Sequence, residues 1–209
     1  MAFIPAGLRP IAYLDTETSG LDPATHEILD VAVVFDRDVA ERLRIPHLTF
    51  PEGADYGYYA SRVKPERIEV ASPVALQVNG YTPEEWADAP DAASVVKVLQ
   101  VILKDAVPCG HNIPFDVSFI QAMIQRTGST VRMDYHSLDT TTLAHAVLVP
   151  AGLDLLKLDV IRDFLGWPKE GGHRALKDAL DARSLYKLLT SGIPARSRDE
   201  WVHAAAAFV

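Results

Sequence analysis

The residues best able to do chemistry in this 209-residue chain are carboxylates, and three short segments carry them. In Asp15-Thr16-Glu17 two acids follow the apolar run IAYL. On a strand, the side-chain period of two sends both carboxylates to the same side of the sheet. Charge at the edge of a core is costly when unpaired. An acid pair without a basic neighbour therefore calls for a cation, and hard divalent ions such as Mg²⁺ choose oxygen ligands. An ordinary pair of acids closing a strand end is the alternative at this point.

The second segment is His111-Asn112-Ile113-Pro114-Phe115-Asp116. Pro114 fits the first turn of a helix, and Asp116 lies in that turn, where the helix dipole favours an acid. Helix capping alone would account for Asp116, and His111 and Asn112 could be satisfied loop residues. The third segment, Gly171-Gly172-His173-Arg174-Ala175-Leu176-Lys177-Asp178, has four residues between His173 and Asp178. On one continuous helix the two would not share a face well. With His173 in the glycine loop ahead of the helix, both reach one site. Histidine is the natural general base near neutral pH, although a lone histidine here also fits a solvated surface.

Positioning these groups requires strands, and the chain supplies them. Residues 11–16 and the β-branched run 28–35 are expected strands, with a turn at Ser19-Gly20 between them. The stretch 36–57, broken by Pro46, Pro51 and two glycines, is expected as a ribbon or loop insertion. A third strand is placed at 58–64, a short helix at 73–78 and a longer one at 91–104, where Val95, Val98, Leu99 and Ile102 recur at helical spacing. Then come a buried strand at 107–110, a helix at 114–126, a strand at 131–138 and helices at 139–147, 153–165 and 175–189. Strands first and helices later predict an α/β protein with a mixed sheet flanked by helices, not a doubly wound parallel sheet.

Composition leaves room for this chemistry. With 48% apolar and 23% charged residues, the chain is that of an ordinary globular protein. No apolar run approaches the roughly 18 residues of a membrane helix. The opening MAFIPAGLRP has no basic start or long apolar centre, so no secretory signal is expected. The lone Cys109 excludes an internal disulfide and suits a buried apolar role; together these point to a cytoplasmic protein. The net charge of −8 argues against a protein that coats nucleic acid. It argues less against an enzyme whose bound cations meet a phosphate.

Taken together, DTETSGLD (15–22), GHNIPFD (110–116) and HRALKDA (173–179) resemble the three motifs of the DEDDh 3′–5′ exonucleases, the DnaQ-like superfamily that includes polymerase proofreading subunits, ribonuclease T and oligoribonucleases. SLDTTTLA (137–144) and the leucine-patterned 153–165 also match, so the resemblance covers about residues 10–190. It implies a ribonuclease H-like fold with a mixed five-stranded sheet whose first three strands form an antiparallel meander. It further implies one exonuclease domain over 1–209, with 36–57 as a hairpin or loop insertion and 191–209 as a C-terminal extension.

By the same resemblance, the catalytic set is Asp15, Glu17, Asp116, His173 and Asp178, with two Mg²⁺ or Mn²⁺ ions. Asp15 would bridge the ions, Glu17 and Asp178 would complete the first, and Asp116 would support the second. His173 would take a proton from the attacking water, with the Gly171-Gly172 loop closing over substrate. Thr16, Thr18, Leu21, Asn112 and Phe115 would bind substrate: Thr16 through its backbone, Leu21 as a wedge between bases, and Phe115 against a terminal base or sugar. Plain core packing is the alternative for Leu21 and Phe115. Arg62, Lys64, Arg67, Arg174 and Lys177 are candidates for phosphate contacts. The expected partner is the 3′ end of single-stranded nucleic acid, DNA ahead of RNA, with homodimer and polymerase association both left open. The rivals are an exoribonuclease, a hydrolase of another phosphate ester, and a catalytically silent binding module. The last predicts a missing acid or histidine, and all five are present.

Overall fold

The computed structural model describes residues 9–168, 174–194 and 197–208. A five-stranded sheet in the order β3-β2-β1-β4-β5 forms its centre. Strand β1 (Ile11–Thr18) lies in the middle. Strand β2 (Ile28–Asp36) runs antiparallel to it, and β3 (Tyr56–Arg62) runs antiparallel to β2. On the other side, β4 (Val107–Gly110) and β5 (Leu138–Asp139) continue parallel to β1. The sheet is thus mixed, with an antiparallel meander first, as expected.

Alternation along β1 explains both why it is buried on each face and how it serves two sets of helices. Ala12 and Leu14 join Val31, Val33 and Phe35 in one core cluster. Helices α4 (Ala92–Ile102) and α5 (Ile113–Arg126) close that cluster through Val95, Leu99, Phe119 and Ile120. Tyr13 faces the other way, with Ala32, Val34 and Cys109, against Ala175 and Ala179 of helix α8 (Ala175–Thr190). Cover on both faces is what the near-continuous apolar runs of β1 and β2 require.

Four expected boundaries move. The stretch 36–57 opens with a helix, α1 (Arg37–Leu43), rather than a ribbon. Only Ala40 of this helix is buried, so it carries almost no apolar periodicity to detect. The third strand starts at Tyr56, fastened by Arg37, whose guanidinium donates to the carbonyls of Ala54 and Pro51 at 2.7 Å each. Of the strand expected at 131–138, only Leu138 and Asp139 form β5. The preceding residues attach singly instead, Arg132 through its carbonyl to the Asp105 N–H and Asp134 through its N–H to Ala106. The helix expected at 153–165 is confined to α7 (Leu158–Leu165): the chain turns left-handed at Gly152 (φ 102°) and takes no regular secondary structure from 153 to 157.

A third cluster unites helix α6 (Thr140–Val147) with α7, α8 and helix α9 (Arg198–Ala205). Ser197 and Glu200 form a reciprocal capping box that starts α9. Trp201 is buried there, and Trp167 donates its indole N–H to the carbonyl of Ala205 at 3.3 Å. The stretch expected as an extension therefore contributes to this core. Among the described residues, no helix is long and apolar enough to cross a membrane.

Candidate active site

The alternation that buries β1 also sorts its polar end. Asp15 and Glu17 share the face of Tyr13, towards α8, and α8 brings Asp178 in its first turn. One carboxylate oxygen from each of Asp15, Glu17 and Asp178 lies within 4.8 Å of the others. Oxygens on opposite sides of a Mg²⁺ ion at its usual ~2.1 Å bond length stand about 4.2 Å apart. The spacing therefore fits one small divalent cation with slight closure.

Thr16 points the other way, to α5, and meets Asp116. The Thr16 backbone N–H and hydroxyl both donate to Asp116 Oδ1, at 2.8 Å each. Asp116 is 3% exposed, buried at the start of α5. Four acids thus converge from three elements.

Their mutual repulsion appears in their proton affinities. Asp15 is raised well above the usual carboxylate range, by burial first and then by Asp116, Asp178 and Glu17. Glu17 is pushed up to about 7 by burial, Asp178, Asp30 and Asp116. Asp116 is pushed up to about 7 by burial, which outweighs the opposing hydrogen bonds from Thr16. Carboxylates left at such proton affinities form a site whose charge a cation would satisfy.

The loops around the acids are rigidly built. At Gly110 a Cβ would stand 2.7 Å from the Leu14 carbonyl oxygen, so only glycine lets β4 approach β1 this closely. His111 follows, with its ring between the Thr140 hydroxyl (3.1 Å) and the Leu156 carbonyl (2.7 Å). Burial holds its imidazole below the usual range, and its bond to Leu156 ties the 153–157 stretch to the site. Asn112 takes a left-handed conformation (φ 63°). Its N–H donates to both Asp139 Oδ1 and Thr141 Oγ1 at 2.9 Å. Asparagine tolerates this region better than most residues, and such backbone strain persists where surrounding structure holds it.

The turn after β1 presents one apolar side chain outward. Leu21 is 84% exposed. Beneath it, the Thr18 hydroxyl donates to the Gly20 carbonyl at 2.7 Å, so the Thr18 side chain shapes the turn. Helix α2 (Pro73–Val78) braces the same turn: the Ser72 N–H donates to Ser19 and the Asn79 side-chain amide to Thr18, each at 2.8 Å. Phe115 is half-buried against Phe119, ring centroids 4.8 Å apart, so much of its ring belongs to the core. His173, with Gly171 and Gly172, lies outside the described residues.

Of the basic residues considered for phosphate contacts, four are engaged within the protein. Arg62 pairs with Glu85 at 2.6 Å and lies over Trp86, both in the short helix α3 (Pro83–Trp86), Lys64 bonds the Ala87 carbonyl, Arg67 pairs with Glu27, and Lys177 pairs with Asp181. Arg174, at the N-terminus of α8, is exposed.

Two residues of the site went unnoticed in the sequence. Asp30, opposite Glu17 on β2, is pushed up to about 6 by burial and adds to the repulsion. It is the one charge inside the run ILDVAVVF, which was its signal. Arg162 of α7 is 7% exposed and pairs with Asp178. It occupies the inward stripe with Leu158 and Leu165, where a charge requires a partner.

Comparison with known proteins adds ancestry to this geometry. The RNase_T family model, described as an exonuclease, matches residues 13–186. The epsilon subunit of DNA polymerase III from Haemophilus influenzae is 33% identical over 132 residues, covering 62% of this chain and 50% of that protein. The epsilon subunit from Aquifex aeolicus is 29% identical over 178 residues, covering 84% of this chain and 78% of its own. The chain spans about half the length of the Haemophilus relative, and 11% of the PolC-type DNA polymerase III of Thermotoga maritima, to which it is 28% identical over 168 residues. Among solved structures, E. coli Exonuclease I in complex with a dT13 oligonucleotide aligns with a TM-score of 0.70 at 18% identity, over 89% of this chain and 42% of that one. Exonuclease I from Methylocaldum szegediense aligns at 0.66 and 19% identity, over 89% and 41%. At such identities the likeness is one of fold.

Proposed function

Because this chain belongs to the RNase_T exonuclease family, within the DnaQ-like DEDDh superfamily, we propose that it removes nucleotides from the 3′ end of single-stranded nucleic acid, DNA ahead of RNA, by metal-dependent hydrolysis. The observation that carries this reading is the convergence of Asp15, Glu17 and Asp178 oxygens within 4.8 Å at the end of the central strand. Preference for DNA rests on the relatives, which are subunits of DNA polymerases, and on the dT13 bound to the E. coli neighbour.

Asp15, Glu17 and Asp178 would hold one Mg²⁺ or Mn²⁺ ion, and Asp116 with Asp15 would hold a second. Bound there, two such ions supply Lewis acidity at the scissile phosphate and at the departing oxygen. Thr16 fixes Asp116 through two hydrogen bonds, so the carboxylate meets its ligand without searching for a rotamer. Leu21, held out by the Gly20 turn, offers an apolar surface to a base face, a contact that tolerates any sequence. Phe115, in the first turn of α5, would pack on the terminal base or sugar, and Asn112, just ahead of that helix, would assist near the scissile nucleotide. His173, just ahead of α8, would accept the proton of the attacking water.

The test is direct. Incubate the protein with 5′-labelled single-stranded DNA or RNA in Mg²⁺, Mn²⁺ or EDTA, beside Asp15→Ala and His173→Ala. A ladder shortening from the 3′ end, abolished by EDTA and by either substitution, supports the reading. Equal cleavage in EDTA or in Asp15→Ala overturns it. Faster cleavage of RNA would reassign the substrate.

A further inference from the structure

Arg162 is the only described cation in a hydrogen-bonded pair with one of the four clustered acids. Its guanidinium is shared among three carboxylates. Nε donates to Asp181 Oδ2 at 2.7 Å, Nη1 donates to Asp159 Oδ1 at 2.7 Å, and Nη2 donates to Asp178 Oδ1. Asp181 also accepts from Lys177 at 2.9 Å. A link between α7 and α8 would be complete with Asp181 alone, one turn along α8. The additional reach to Asp178 brings the guanidinium to the cluster's own ligand. A guanidinium is protonated throughout the working pH range, so Arg162 is a fixed positive charge there.

We propose that Arg162 is a positioning residue for the divalent-cation site. It fixes Asp178 by a buried ion pair and, by placing a permanent positive charge on that carboxylate, weakens the cluster's hold on the ion. The inference rests on the metal-dependent reading above. Coulomb repulsion between the guanidinium and a divalent ion sharing one carboxylate is strong in a partly buried site. A site that must exchange ions and release a charged product gains from such a weakening.

The experiment measures Mn²⁺ binding by calorimetry, and melting temperature with and without Mn²⁺, on chelator-treated wild type, Arg162→Met, Arg162→Gln, Arg162→Lys and Asp15→Asn. Arg162→Met and Arg162→Gln are expected to bind Mn²⁺ about tenfold or more tightly than wild type. Each should melt lower than wild type without metal and gain more on adding it. Arg162→Lys, which restores the charge, should return the affinity to within about threefold of wild type. A purely architectural residue would lower both melting temperatures alike and leave the affinity unchanged. Asp15-dependent Mn²⁺ binding in wild type, with equal or weaker binding in whichever neutral variant folds, overturns the role of Arg162 alone. Wild type that binds no Mn²⁺, or binds it as well after Asp15→Asn, overturns the metal-dependent reading and this inference with it.

Discussion

Thr16 and Asp116, 100 residues apart in sequence, are joined by two hydrogen bonds to one oxygen, both 2.8 Å long. The pair locks the central strand to the start of α5 and sets the carboxylate. Thr16→Val keeps the backbone bond and loses the hydroxyl one, leaving a buried acid half-satisfied. We expect a stability loss of about 1–2 kcal/mol, measured by denaturant unfolding. Because the Thr16 bonds lower the Asp116 pKa, its proton affinity should rise further, and Mn²⁺ binding should need a higher pH. A variant as stable as wild type, with an unaltered pH dependence of Mn²⁺ binding, would show that the pair is ornamental.

The acid cluster makes a stability prediction of definite sign. Glu17 stands at about 7 against an ordinary 4.5, and Asp30 at about 6 against 3.8. An acid with a raised native pKa binds its proton more tightly when folded. Ionising it therefore costs stability above the native pKa, and the cost vanishes below the unfolded one. Metal-free protein should melt higher near pH ~5 than near pH ~8, and saturating Mn²⁺ should abolish or reverse the difference. Thermal scans in chelator and in Mn²⁺ decide this; a metal-free protein that gains stability towards pH ~8 contradicts it.

Leu21 separates binding from folding. With its side chain 84% exposed, Leu21→Ala should change stability by less than about 0.5 kcal/mol. If Leu21 contacts bases, the same variant should bind single-stranded oligonucleotide several-fold more weakly, in proportion to a lost apolar contact of about 1 kcal/mol. Fluorescence anisotropy with a labelled oligonucleotide in Ca²⁺ measures it, and unchanged affinity removes Leu21 from the substrate surface.

Gly110 predicts the opposite pattern. A methyl group there meets the Leu14 carbonyl oxygen at 2.7 Å, and a backbone atom cannot rotate aside. Gly110→Ala should destabilise by about 1–3 kcal/mol and displace His111 and Asn112. Both unfolding midpoint and Mn²⁺ affinity should fall together; a fully stable Gly110→Ala protein would mean that β4 and β1 can part without cost.

Much of this was legible in the chain because the site stands on strands and helix starts. The period of two alone places Asp15 and Glu17 together, and Pro114 announces the helix that carries Asp116. Arg162 is not legible in the leucine pattern of 153–165, which weighs apolar residues, whereas the informative residue is the charge among them. The short β5 escaped for another reason: two residues pairing parallel to Cys109 and Gly110 leave no periodicity to read. Helix α1 likewise buries one residue and is held by Arg37 contacts from a distant loop, which local pattern does not encode.

The division of labour along β1 has a consequence for how this site tolerates change. Odd positions serve α8 and even positions serve α5, so parity is the site's coordinate system. The packing against each helix is thus separate, while the acids of the two helices still act on one another through charge. A single residue inserted or deleted between Ile11 and Asp15 would exchange the two faces, burying Glu17 against α5 and handing the threonine to α8. Substitutions can grade this activity, whereas a one-residue change in strand length can only abolish it.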